Sequence, residues 1–586
     1  MRSRTRSLAV LVVCGVLTLA GCVPLPRSGP VVQADVSTSV DDARASDFNP
    51  VPPRPDASRV EIVEGFLDAM TASPIRTDVA KQFLTESAAG EWDPDAATIT
   101  YGDKLSPDDG GRVVVVPRED AESLDRGGVW EGRLPEAEQR LSFELDIEDG
   151  EYRITNPPDA LVVPAPWFNQ RFRQTSLYFF DVSGTILVPQ PVFVPRGEQL
   201  ASALITGLLA GPGPDLRNVS RSYLPPGLSL DLSVPISGTG VADITLVGEV
   251  GVQTPAVVER MLAQLAWTLR QEPGITALRV TIGDQVVQLP DGDSEYPVAD
   301  AVTYDPNGDG SSSDLYALRD GILTVRDGNE LLPLAGPFGV RNVDIRSAAL
   351  NLDASEAAAV SADGTRVLLG PTGPGADTAP AALKTVFSGG DNLLTPAWDF
   401  AGRIWLVDRS PATGAVVRYV RDGRAHRLVV PGVSGRVVKS FLVSRDGTRF
   451  AAVVRGEDSD DLRVGRIEYS NRGQPELVAG TTSLLPDPTE TVRIVDITWT
   501  SPTAIALLIP VISGEFFEVR TLTVDGAPTT SGTLSTTVSG ALVGLAGSPL
   551  QSLPTYGVTE SGLVDLVNEA TYGFVGDRPS DIGYVG

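Results

Sequence analysis

Ser444–Val454 reads SRDGTRFAAVV, a tight polar turn set directly before an apolar run too short for a helix. Asp446 and Gly447 supply the turn chemistry, since glycine reaches positive φ freely and aspartate hydrogen-bonds its neighbouring backbone. The run FAAVV that follows reads as a strand. The same order recurs as LRDGILTV near Gly321, SADGTRVLL near Gly364, DFAGRIWLV near Gly402, WTSPTAIALLI near Pro502 and TESGLVDLV near Gly562. Successive spacings are 43, 38, 45, 55 and 60 residues. Repeats of about 40–50 residues, each a turn followed by a strand, suit the blades of a β-propeller with four strands apiece. Residues 300–586 would then hold about six blades. The two long spacings leave room for a cryptic blade near TLTVDGAPT or for long loops, and a pair of β-sandwiches is the alternative architecture.

Toward the N-terminus the pattern changes. SLYFFDVSGTILVPQPVFVP (176–195) reads as a hairpin turning at Ser183-Gly184. A helix with Leu200, Leu204 and Leu208 follows and stops at Gly211-Pro212. YLPPGLSLDLSVPI and GVADITLV are expected strands. Thr254-Pro255 opens a helix, with Pro at the first helical position. Val257, Met261, Leu265 and Leu269 share one face of it, with Val258 and Leu262 beside them. Pro273-Gly274 ends that helix, and ALRVTI-GD-QVVQL closes as a hairpin. Leu-Tyr-Phe, LLAGP, LPPG, ITL and LAWTLRQEPGI, in that order, resemble a GerMN domain over residues 172–291. The resemblance implies a cell-envelope or sporulation module without known catalytic residues.

Residues 58–168 begin with Ser58-Arg-Val-Glu61, a capping-box signature, ahead of Ile62, Val63, Phe66, Leu67 and Met70 at helical spacing. A second helix is expected to carry Val79, Ala80, Phe83 and Leu84. Strand-like runs follow (ATITYG, GRVVVVP, GVWEGRL, RLSFELDIE, EYRIT), so helices precede a meandering antiparallel sheet, an α+β arrangement like the NTF2 fold. The fold class expected for the whole chain is multidomain: NTF2-like α+β, α/β GerMN and all-β propeller.

The first 21 residues carry Arg2, Arg4 and Arg6, then an apolar run of about a dozen residues, the pattern of a signal peptide and too short for the ~20 residues a span needs. Leu19, Ala20, Gly21 and Cys22 resemble the bacterial lipobox, which implies an S-diacylglycerol and N-acyl group on Cys22 and an extracytoplasmic anchor in the cell membrane. Cys14 leaves with the peptide, so no disulfide is available to the mature chain. Residues 22–57, with Pro24, Pro26, Pro30, Pro50, Pro52, Pro53 and Pro55, form a tether that averages roughly 30–35 Å as a flexible coil.

Composition excludes several functions. The formal charge is −28, with 75 acidic against 47 basic residues, so the molecule repels phosphate backbones and nucleic-acid binding is not expected. His426 is the single histidine, which rules out multi-histidine metal sites and leaves any Ser-His-Asp triad dependent on it. DPNGDGSSSD (305–314) imitates a calcium loop, but Tyr316 stands where the bidentate Glu belongs, and an interdomain linker is the better reading. GTGVAD from Gly238 lacks the third glycine of a dinucleotide fingerprint. No catalytic residue, metal or cofactor is expected.

Lipobox, tether, NTF2-like domain, GerMN domain and propeller, in that order, resemble LpqB, a lipoprotein family of actinobacteria. The resemblance implies an accessory to the MtrA–MtrB two-component system, with the extracytoplasmic domain of the sensor histidine kinase MtrB as partner and cell-wall homeostasis and division as the output. A cell-wall glycan- or peptide-binding lipoprotein is the second reading, and a hydrolase built on a carboxylate pair the third.

Overall fold

Six sheets of four or five strands account for the C-terminal region in the computed structural model of the chain. The structure describes residues 49–586 apart from 103–105, 198, 214, 215, 217, 250, 252, 290, 291, 471, 472, 486–490, 529–534 and 577. The expected signal peptide, the lipobox and most of the tether therefore lie outside the described residues. Phe48–Gly586 forms one compact unit.

The first strands of the six sheets are Asp581–Gly583, Ile345–Leu350, Ala397–Trp398, Val438–Val443, Asp496–Ser501 and Leu542–Ala546, and each lies against the next to close a ring. Asp581–Gly583 comes from the end of the chain yet pairs with Tyr316–Arg319, so the last strand completes the first blade. A closed ring of blades is a propeller, not a pair of sandwiches. The second strand of each blade is sandwiched between neighbouring blades, and its alternate residues serve both. Ile404 and Leu406 pack toward the preceding blade, while Trp405 and Val407 pack toward the following one. Ala451 and Val453 likewise oppose Phe450 and Ala452. This is why those strands read as unbroken apolar runs. Each such valine, leucine, isoleucine or phenylalanine contributes about 1.5–3 kcal/mol on leaving water.

The repeat mixes two positions within the blade. Gly402, Gly447 and Pro502 lie between first and second strands, whereas Gly321 and Gly364 lie between second and third and Gly562 opens the third. That shift in register accounts for the 38- and 60-residue spacings, whereas the 55-residue spacing joins two turns of the same kind and reflects a longer blade four, which carries a fifth strand at Thr482–Ser483. TLTVDGAPT is no extra blade: it continues from Phe516–Thr523, the third strand of blade five.

The middle domain places the hairpin Phe172–Asp181 and Leu187–Pro195 beside a second sheet. There Val241–Val247 runs parallel to Ala277–Ile282, with the helix Pro255–Leu269 crossing between them. That helix buries Met261, Leu262, Leu265 and Leu269. Thr254 takes the N-cap position without a side-chain cap bond. Of the run YLPPGLSLDLSVPI only Ser229–Leu230 is strand, because its prolines withhold ladder donors. Tyr296–Pro297 and the 3-10 segment Val298–Tyr304 complete this domain's core, where Trp267 Nε1 donates to the Ala301 carbonyl at 2.7 Å. The propeller's first strand in sequence begins only at Tyr316.

In the first domain the capping box forms as read: Glu61 accepts from the Ser58 N–H at 2.8 Å, and Ser58 Oγ accepts from the Glu61 N–H at 3.4 Å. The expected second helix is one 3-10 turn, Ala80–Phe83, followed by the helix Glu86–Glu91. The expected meander is two four-stranded sheets, because Leu161–Pro164 returns to lie parallel to Ala97–Tyr101. The interior is filled rather than hollow, with Phe66 against Trp92 at 5.3 Å and Phe143 at 6.0 Å between centroids.

Candidate functional site: anchor, domain junction and propeller channel

The residues singled out by sequence do not converge on a reaction centre. Leu19, Ala20, Gly21 and Cys22 lie outside the described residues. The chain has two cysteines, Cys14 and Cys22, so the described residues contain none. His426 is exposed on the strand Arg424–Leu428 and stacks on Tyr419, with centroids 4.9 Å apart. Among the described residues no group of three or more His, Cys, Asp or Glu is placed to hold a metal. The calcium-like loop is closed on itself: Asp305 Oδ1 accepts from the Asn307 backbone at 2.8 Å and its side chain at 3.0 Å. It joins the middle domain to the propeller, and Arg445 reaches the Asn307 carbonyl at 3.4 Å.

Two arginines of the repeat are buried at the domain junction, and one of them, Arg449, bonds across it. Arg403 immediately precedes the second strand of blade three and Arg449 opens that of blade four, just past the turns at Gly402 and Gly447, at the end of the propeller facing the middle domain. Arg403 Nε meets Asp399 Oδ2 at 2.6 Å with both side chains buried, and its Nη2 donates to the Tyr469 hydroxyl at 2.9 Å. Trp405 Nε1 donates to the same carboxylate oxygen at 2.8 Å. Burial is the largest influence and opposes the Arg403 charge, but Asp399, Tyr469 and Asp181 together outweigh it and hold the guanidinium above its ordinary range. Arg449, deep in the junction, donates to the Pro189 carbonyl of the middle domain, and burial lowers its pKa. Arg466 reaches Gln190 at 2.6 Å, and Asn218 reaches Glu468 at 3.1 Å. Burial pushes Arg445 down to about 10. A cleft of about 610 Å³ remains between the domains, lined by Tyr178, Trp267, Arg270, Asn307 and Thr503 among others. Sequence reasoning missed these arginines, although the residue placed just after the turn in DFAGR and two beyond it in SRDGTR was a signal.

The propeller axis is a channel of about 340 Å³. Asp496 and Asp581 begin two of its inner strands. Asp496 Oδ2 accepts from the Leu545 N–H at 2.9 Å and Asp581 Oδ2 from the Ala348 N–H at 3.1 Å, so each carboxylate staples its strand to the neighbouring blade's inner strand. Burial pushes both carboxyls up to about 6. Backbone N–H donors occupy these oxygens, an arrangement suited to holding blades together.

An α+β domain, a GerMN domain and a six-bladed propeller in series, with polar groups devoted to docking and no metal cluster among the described residues, define a modular envelope-lipoprotein architecture. Residues 52–169 match the family model described as Lipoprotein LpqB, N-terminal domain; 176–288 match Germane, described as Sporulation and spore germination; 321–564 match the Lipoprotein LpqB beta-propeller domain. Lipoprotein LpqB of Mycobacterium bovis (strain BCG / Pasteur 1173P2) is 30% identical over 512 residues, covering 80% of this chain and 81% of the relative. Lipoprotein LpqB of Streptomyces avermitilis is 27% identical over 609 residues, covering 97% of each. The first GerMN domain of the sporulation protein GerM from Bacillus subtilis is 22% identical with a TM-score of 0.19, covering 21% of this chain and 97% of that one. The chain belongs to the LpqB lipoprotein family. No helix among the described residues is long and apolar enough to cross a membrane, and membership in a lipoprotein family implies anchoring through lipid.

Proposed function

We propose that the protein is held by lipid on Cys22 at the extracytoplasmic face of the cell membrane. There it binds the extracytoplasmic domain of the sensor histidine kinase MtrB and modulates two-component signalling to cell-wall homeostasis and division. It performs no catalysis of its own. The observation that carries this reading is the domain junction: Arg449 and Arg466 reach across to Pro189 and Gln190 and lock the GerMN domain and the propeller into one body that offers surfaces rather than a reaction centre. A ligand anchored in the same membrane as its kinase meets it at raised effective concentration, so modest contacts suffice. Modulation requires that this body bind one kinase conformation better than another.

The glycan-binding reading calls for exposed aromatic platforms. Trp92, Trp130, Trp267, Trp398, Trp405 and Trp499 are all buried, and they are six of the chain's seven tryptophans, which counts against it. The hydrolase reading has Asp496 and Asp581 as its best carboxylates, and both are engaged by backbone donors. The deciding experiment is a pull-down of Phe48–Gly586 with the kinase sensor domain. Binding at micromolar concentration is expected, and no binding overturns the proposal. Cleavage of peptidoglycan by the same preparation, abolished by Asp581→Asn, overturns the non-enzymatic part.

A further inference from the structure

The face of the propeller away from the middle domain carries a second feature. Strands two of the blades start at the domain junction and end on the opposite face, where Ser410–Gly414 turns between Ile404–Ser410 and Gly414–Arg421. Beside that turn lies a cleft of about 740 Å³ between blades three and four. Four cations line it, Arg409, Arg436, Lys439 and Arg455, and no carboxylate does. In a chain with 75 acidic residues against 47 basic ones, a concave surface of one positive sign runs against the overall field.

The local pairing sharpens the contrast. Lys439 is neutralised by Asp460 at 2.9 Å. Arg409 and Arg346 both donate to Asn392 Oδ1, at 3.2 and 2.9 Å, and so share one neutral amide oxygen. Arg409 Nε is buried without a hydrogen-bond partner, and burial together with Arg346 lowers its pKa. Arg436 and Arg455 are exposed, and among the described residues neither forms an ion pair. The nearby Asp408 carboxylate is turned away, accepting from the Asp391 and Asn392 N–H groups at 3.0 and 2.9 Å with Arg418 at 3.9 Å. Uncompensated guanidiniums converging on a cavity leave unmet donors in a fork geometry that suits tetrahedral oxyanions. The rim adds exposed Val437 and Val495, 58% and 39% accessible, which offer apolar contact to whatever carries the anion. The volume falls in the range of small-molecule sites, far above one inorganic ion.

We propose that this cleft binds a phosphate ester, with Arg409, Arg436 and Arg455 holding the phosphate oxygens and Val437 and Val495 contacting the organic part. The site is separate from the domain junction and does not depend on the kinase reading.

The compact unit Phe48–Gly586 contains every core cluster described, so it serves as the test protein. Inorganic pyrophosphate titrated calorimetrically probes a soluble source, and flotation with phosphatidylglycerol against phosphatidylcholine vesicles probes a lipid headgroup. Binding is expected in at least one arm. It should weaken roughly tenfold or more in Arg436→Gln/Arg455→Gln, as loss of charged hydrogen bonds implies, and should be unchanged in Arg140→Gln, an exposed control. The exposed pair keeps the fold intact, which an unchanged melting temperature verifies; Arg409→Gln gives an independent second reading. Pyrophosphate binding assigns a soluble ester, and vesicle binding alone, with the same sensitivity to substitution, assigns a headgroup. Binding in neither arm, or binding that survives both sets of substitutions, overturns the proposal.

Discussion

Replacing Arg403 by methionine removes one half of a buried ion pair while keeping much of its volume. The Arg403 and Asp399 side chains are 3% and 0% accessible and meet at 2.6 Å. Removing one partner of such a pair costs about 3–5 kcal/mol, because the other charge stays buried without its counterion. Asp399 keeps three N–H donors, from Ala401 at 3.0 Å, from the backbone of residue 403 at 3.2 Å and from Trp405 at 2.8 Å. Tyr469 keeps its own bond to the Gly447 carbonyl at 2.5 Å. These surviving bonds put the expectation at the lower end, about 3 kcal/mol. The assay is equilibrium urea unfolding followed by tryptophan fluorescence, for which Trp405 reports from inside the network. Asp399→Asn alone and in the double variant complete a thermodynamic cycle. The double variant should lose at least about 1.5 kcal/mol less than the two single losses combined, since the stranded charge is then gone. A single-variant loss below about 1 kcal/mol, or additivity within about 0.5 kcal/mol, would refute the claim that this buried pair stabilises the turn between the first two strands of blade three.

Stability should also depend on pH through the channel. Asp496 and Asp581 have folded pKa values of about 6, raised above their unfolded values by burial, so the folded state holds their protons more tightly. Their contribution is fully present below about pH 4 and is lost as pH rises through about 6, by up to roughly 3 kcal/mol each. Asp581→Asn should flatten the slope between pH 4.5 and 7; slopes identical to wild type would contradict the assignment. Gly128 holds φ +76, and a Cβ there would lie 2.2 Å from the Phe193 carbonyl oxygen, so Gly128→Ala should destabilise the contact between the first two domains by about 2 kcal/mol or more. An unchanged thermal melt would count against that tight contact. Cys22→Ala should move the protein from membrane to soluble fractions without altering its melting temperature, and persistent membrane association would remove the lipid anchor from the proposal.

What could be read from the sequence and what could not divide along physical lines. Ser58 and Glu61 cap their helix because the partners sit three residues apart, and Ser183-Gly184 turns its hairpin because the chemistry is local. The apolar runs of the repeat announced buried strands, since a strand covered on both faces has no polar side to show. Register within the blade was not legible: a turn before an apolar strand looks alike whether it joins strands one and two or strands two and three. Only the closed ring, with Asp581–Gly583 returning to pair with Tyr316–Arg319, distinguishes them. The parallel return of Leu161–Pro164 beside Ala97–Tyr101 is hidden for the same reason, because pairing across some 60 residues leaves no local trace.

By itself the sequence determined the order of modules, the lack of any cysteine after Cys22 and the presence of a single histidine, because these depend on residue identity and short-range spacing. Tertiary structure decided what the arginines do. Arg403 and Arg449 follow similar turns to bury themselves in and beside the domain junction, while Arg409, Arg436 and Arg455 gather around a cleft on the opposite face. Their chemistry is one and the same in the sequence. What separates a docking bolt from an unmet anion donor is whether a carboxylate or carbonyl from a distant segment arrives beside it, and only the folded chain brings that segment there.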